Sequence, residues 1–257
     1  MKNILNSVRQ WPTGIRFYIA LASVVSTAEI YLAVRATYGI SGTTTIRTQQ
    51  IYAWISLSLI LVALSIGPVC KALTNLPGKA VLRDARRMIG VSAAWFAAWH
   101  VGISYLNQFH AAKLFNLPGR YQLSFGLGIA AIAILIALSA TSFDAALKAM
   151  GIWWFRLHRS LYIAVLLILL HAFLIGSHAV TLPFLAVLSV CIILIFAMHI
   201  FLGFGTGREP TRLKSIVVTY GLLATIAIFV FGYSQYAAAG RSNKSALNMN
   251  GANYGTR

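Results

Sequence analysis

Long apolar runs joined by short polar links make up most of this chain. Seven are visible, over about residues 15–34, 51–70, 89–109, 123–141, 155–175, 182–204 and 215–236. Each approaches the ~20 residues that carry a helix across ~30 Å of hydrocarbon. Backbone polar groups in lipid must pair within their own segment, which favours helices over isolated strands. The pattern therefore predicts an all-α, polytopic membrane helical bundle with seven transmembrane helices. It divides into an N-terminal segment with the first helix (1–50), a core (51–204), a seventh helix (205–236) and a polar tail (237–257). The first run follows Lys2, Arg9 and Arg16 and resembles the start of a signal peptide. Its apolar stretch is too long for one, so an uncleaved helix is expected.

Composition agrees: 59% of the 257 residues are hydrophobic and 10% are charged, with a mean hydropathy of +0.77. A soluble domain carries about 25% charged residues. The formal net charge is +17. Of the 21 Lys and Arg, fourteen fall in the links on the side of Met1, and seven on the other. Positive residues accumulate in cytoplasmic links, so the N-terminus is expected inside and the 237–257 tail on the periplasmic face of a bacterial inner membrane. Charges split over two faces and flanking the spans answer to topology and anionic lipid. Nucleic acid is not an expected partner. The tail, rich in Gly, Asn and Ser, cannot bury enough apolar area to order itself, so another subunit is expected to hold it.

The candidate chemistry lies in the histidines. An ionisable side chain inside a membrane helix is costly and usually functional, and histidine is a common axial ligand of haem iron. His100 lies thirteen residues beyond Arg87, hence about 20 Å along the third span at 1.5 Å per residue. His171 lies the same thirteen residues beyond His158, at the start of the fifth span. Spans three and five run in the same direction, so His100 and His171 share one depth and suit a b-type haem held by two imidazoles. His158 points about 140° away from His171. Its depth is closer to that of His199 in span six, which leaves room for a second, inner haem. The plain alternatives are a hydrogen-bonded helix-packing histidine for His199 and an interfacial one for His158. His110 and His178 fall at outer ends and read as interfacial.

Arg86, Arg87, Arg156 and Arg159 could pair with haem propionates or a flavin phosphate, or simply anchor the inner face. Cys70 and Cys191, at different depths, read as small packing residues. Glu29, Asp84, Asp144 and Glu209, the four acidic residues, show no paired-carboxylate spacing.

Arg86-Arg87-Met88-Ile89-Gly90 leading to Ala98-Trp99-His100, then Leu138-Ser139-Ala140-Thr141-Ser142-Phe143-Asp144, then Trp154-Phe155-Arg156-Leu157-His158-Arg159 through Leu170-His171, resembles the ferric reductase-like transmembrane domain. The resemblance is nearest to the haem-binding membrane subunit (MsrQ/YedZ type) of the bacterial periplasmic methionine sulfoxide reductase system. It implies that 51–204 is a haem-binding core, with His100, His158 and His171 as metal-ligand positions. His199, Arg87, Arg156 and Arg159 join them here as cofactor-binding candidates, although His199 is not part of the family motif. It further implies one haem b rather than two, and permits a flavin nucleotide. The expected function is electron transfer between a cytoplasmic or quinol donor and a periplasmic acceptor. The chain would be a subunit of a redox complex rather than a complete enzyme, with lipid, a redox protein and in some settings a quinone as partners. The alternative is a haem-free structural or assembly subunit.

Overall fold

The computed structural model describes residues 11–73, 76–107, 117–175, 190, 192–195 and 197–198. His110, His178, His199, the sixth and seventh apolar runs (apart from a few residues of the sixth) and the tail lie outside them. The described elements are all helical: α1 (Trp11–Tyr38), α2 (Gly42–Ala72), α3 (Lys79–Asn107), α4 (Gly119–Ala140), a short α5 (Asp144–Met150) and α6 (Ile152–Ile175). Five of these, all but α5, are long and apolar enough to cross a membrane. The chain is a multi-pass membrane protein whose helices contact lipid. The described residues up to Cys70 and from 76 to 175 belong to one compact unit, which holds the site.

Most helices begin earlier than hydropathy suggests. α2 starts nine residues before the apolar run at Ile51, because Thr44 and Thr48 keep their hydroxyls on nearby carbonyls. Thr44 donates to Gly39 O (2.6 Å) and Thr48 to Thr44 O (2.8 Å). The turn into α2 is set by Gly39, at φ +66°, whose N–H caps the Arg35 carbonyl at 2.8 Å. A left-handed residue closing a helix end favours glycine.

α1 packs on α3, and α4 packs most extensively on α6 while also touching α3. The α1–α3 seam is polar. Ser23 donates to Ser92 Oγ (2.8 Å) and Trp95 Nε1 to Thr27 Oγ1 (2.9 Å). α2 joins through Tyr52, whose hydroxyl donates to Thr27 O (2.6 Å), and Ser56, which donates to Ala93 O (2.8 Å). Interhelical bonds of this kind contribute about 0.6 kcal/mol each in a membrane protein, so the set fixes register more than it supplies stability. The α4 face toward the interior carries Ser124, Ala131, Leu135 and Leu138, all buried. Their spacing of seven, four and three residues places them on one stripe.

At one end of the bundle two arginines and two aspartates close an ion-pair ring. Arg16 meets Asp84 (2.7 Å) and Asp144 (3.1 Å), and Arg87 meets Asp144 (2.6 Å) and Asp84 (3.5 Å). The two acids converge, which their sequence spacing does not suggest, but each faces cations rather than the other acid. Hydrogen bonds from Arg16 and then Arg87 hold the Asp144 carboxyl below its ordinary value. A carboxylate depressed on folding stabilises the fold fully above its unfolded pKa, near 4, and loses that contribution as pH falls through the lower folded value. Melting in detergent should therefore be flat from pH 7 to about 5 and fall below about 4. Asp144→Asn should flatten that acid limb. Asp144 is 54% exposed, so the step should be on the order of 1 kcal/mol or less.

A candidate cofactor site between two membrane helices

His100 on α3 and His171 on α6 face each other with ring centres 6.4 Å apart and planes at 82°. The backbones of α3 and α6 make no extended contact, whereas α4 packs against both. α4 thus packs against both helices that carry the rings.

Each ring is oriented through Nδ1. His100 Nδ1 lies 2.9 Å from Gln49 O, on the early extension of α2. His171 Nδ1 lies 2.8 Å from Ser124 O on α4. A carbonyl only accepts, so both Nδ1 atoms carry the proton and both Nε2 atoms keep a lone pair. Metal-binding histidines are held in this way, with the second nitrogen tied to a carbonyl that fixes tautomer and ring direction. Ser104 adds to the His100 side, donating to His100 O (2.7 Å) and reaching Gln49 Oε1 (3.2 Å).

The spacing fits one metal ion between the rings. Two imidazoles that each put a nitrogen about 2 Å from a single ion have centres about 6 Å apart. Among the described residues no group of three or more His, Cys, Asp or Glu converges. A lone pair of histidines fits a group that brings most of its own ligands, and haem is such a group.

His158 is placed differently. It stacks on Trp154 (3.7 Å, 21°), and its Nδ1 donates to Trp154 O at 3.0 Å. Its Nε2 is buried and, with Arg16 Nε, is one of two such side-chain atoms among the described residues with no hydrogen-bond partner. The Leu138 carbonyl also approaches the ring, and Arg86 and Arg87 lie within electrostatic reach. Arg87 is held by Asp84 and Asp144. Arg156 covers the Trp153 ring at 4.6 Å, and Arg159 is exposed. Sequence reading missed Gln49, Ser124 and Gly128. A Cβ on Gly128 would lie 2.9 Å from His171 Nδ1. The small residues at 124, 128 and 131 of a membrane helix are the local signal that could have marked that close approach.

Residues 51–169 match the family described as "Ferric reductase like transmembrane component". This segment belongs to the ferric reductase-like transmembrane family. The match begins near the Tyr52 contact and ends two residues before His171, taking in His100 and His158. Two curated relatives are also similar, both named "Magnetosome protein MamZ". The one from Paramagnetospirillum magneticum is 30% identical over 145 residues, covering 55% of this chain and 22% of that protein. The one from Magnetospirillum gryphiswaldense is 31% identical over 145 residues with the same coverage. The chain therefore spans about a fifth of the length of these relatives. No solved structure matches it.

Proposed function

We propose that this chain is a transmembrane b-type haem protein that carries electrons as a subunit of a membrane redox complex, between a cytoplasmic or quinol donor and a periplasmic acceptor. The observation that carries this reading is the His100–His171 pair, with facing rings and both Nδ1 atoms tied back to carbonyls. Ferric reductase-like family membership of 51–169 agrees with membrane electron transfer.

His100 and His171 would hold the haem, which would supply reversible one-electron chemistry. The chain's own residues do the rest. Gln49 and Ser124 carbonyls hold the Nδ1 protons, so each ligand stays neutral and correctly turned. α4 packs against both α3 and α6 and so braces the two helices that carry the rings. His158, with its unpartnered buried Nε2, belongs to a separate, inner position. A second haem shared with His199, or a flavin nucleotide met by Arg156 and Arg159, would occupy it. The family resemblance favours one haem at the membrane centre.

A haem-free assembly subunit is the competing reading. It is favoured by the same two hydrogen bonds, which also bridge α2 to α3 and α4 to α6 without any metal. A reduced-minus-oxidised spectrum of the purified full chain, with haem iron counted per chain, separates the two. One iron with b-type bands is expected. No bands after expression with ample haem would leave the histidines as packing residues.

A further inference from the structure

We infer that Ser124 and Gly128 form a seat on α4 that fixes the plane and tautomer of His171, making them positioning residues for the iron ligand. The inference rests on the haem reading above.

Ser124 and Gly128 are one helical turn apart and lie under the same side chain. Ser124 is fully buried. It is bonded to His171 in both directions. Its hydroxyl donates to His171 O at 2.9 Å, and its carbonyl accepts from His171 Nδ1 at 2.8 Å, with Oγ a further 3.2 Å from Nδ1. Gly128 supplies the floor. A Cβ built there would meet three atoms of the imidazole, Nδ1 at 2.9 Å, Cε1 at 3.0 Å and Cγ at 3.6 Å. Those atoms belong to a ring already pinned at Nδ1, so a methyl group there must displace it.

Gly126, two residues earlier on the same helix, has nothing within 4 Å of its own built Cβ. Gly90 and Gly102, flanking His100 on α3, are equally open. The close fit is therefore particular to His171 and is not a general feature of glycine in this bundle. Of the two facing histidines, His171 has both a carbonyl and a floor, whereas the described His100 contacts give it a carbonyl partner without such a floor.

The chemical consequence concerns the ligand's strength. An imidazole whose Nδ1–H is held by a carbonyl is a more basic ligand at Nε2, and a more basic ligand favours the oxidised iron. Tilting the ring off Ser124 O weakens that bond and lowers the preference.

The test compares Gly128→Ala, Ser124→Ala and the control Gly126→Ala in the haem-loaded full chain, by ferric low-spin electron paramagnetic resonance, redox titration and haem retention. Gly126→Ala should match the parent. Gly128→Ala should change the resonance envelope, raise the reduction potential and weaken haem retention about 10- to 100-fold. Ser124→Ala keeps the carbonyl that accepts from Nδ1 and removes only the hydroxyl bonded to His171 O and lying beside Nδ1, so without any clash it should raise the potential in the same direction by less. It decides the matter if Gly128→Ala fails to accumulate. A haem-loaded parent whose Gly128→Ala and Ser124→Ala variants keep its resonance and potential overturns the seat and leaves the haem reading standing. A parent that binds no haem overturns the haem reading itself, and with it any role for the seat at iron.

Discussion

His100→Ala and His171→Ala should each abolish the main b-type absorbance while leaving an inserted, folded chain. The rings meet at 6.4 Å, and both would be needed to hold the haem, so either loss would remove one of the two residues that hold it. Each ring's own structural contribution is small. It amounts to the Nδ1 bond to Gln49 O or Ser124 O, worth about 0.6 kcal/mol in a membrane setting, plus modest packing. Loss of colour should therefore far exceed loss of protein. His158→Ala is the informative partner, because its ring belongs to a different position beside Trp154. The central signal should survive it. If both His100→Ala and His171→Ala keep the full parental spectrum, the ligand assignment is wrong.

The depth of that pair was legible because helical rise is fixed. Thirteen residues from Arg87 to His100, and thirteen from His158 to His171, give equal heights on parallel helices. The structure agrees at both ends, since His100 meets His171 and His158 lies near Arg86 and Arg87. Which helix packs against both was not legible. Hydropathy gives each span a length and no neighbour, so α4's packing on both α3 and α6 had no signal. The Gln49 carbonyl was hidden for another reason. Residues 42–50 are too polar to count as membrane span, yet they are helical because Thr44 and Thr48 satisfy themselves on backbone carbonyls. The short α5 escaped notice because seven residues carry little periodicity. The ion-pair ring joins residues 57 to 128 positions apart across three of its four contacts, and no local pattern reports such distances.

That ring should matter most through Asp84. Asp84→Asn should destabilise the chain more than Asp144→Asn, even though each aspartate contacts both arginines. Burial decides the order. The Asp84 side chain is 21% exposed and its arginine partners 26% and 23%, against 54% for Asp144. Water can replace much of what Asp144 supplies. It cannot do so as well for Asp84, whose loss leaves Arg16 and Arg87 sharing one exposed carboxylate. A hydrogen bond to a charged group contributes about 1.5–3 kcal/mol, so Asp84→Asn should cost about that much, and Asp144→Asn on the order of 1 kcal/mol or less. Melting of the purified variants in one detergent measures both. The haem spectrum should not follow the melting temperature, because Asp84 lies sixteen residues before His100, about 24 Å along α3. Equal losses for the two variants would show that burial does not rank these contacts. A spectrum lost with Asp84→Asn in protein that is still folded would mean that the ring acts on the cofactor site over that distance, joining α1, α3 and the start of α5 to the ligand helices as one rigid frame.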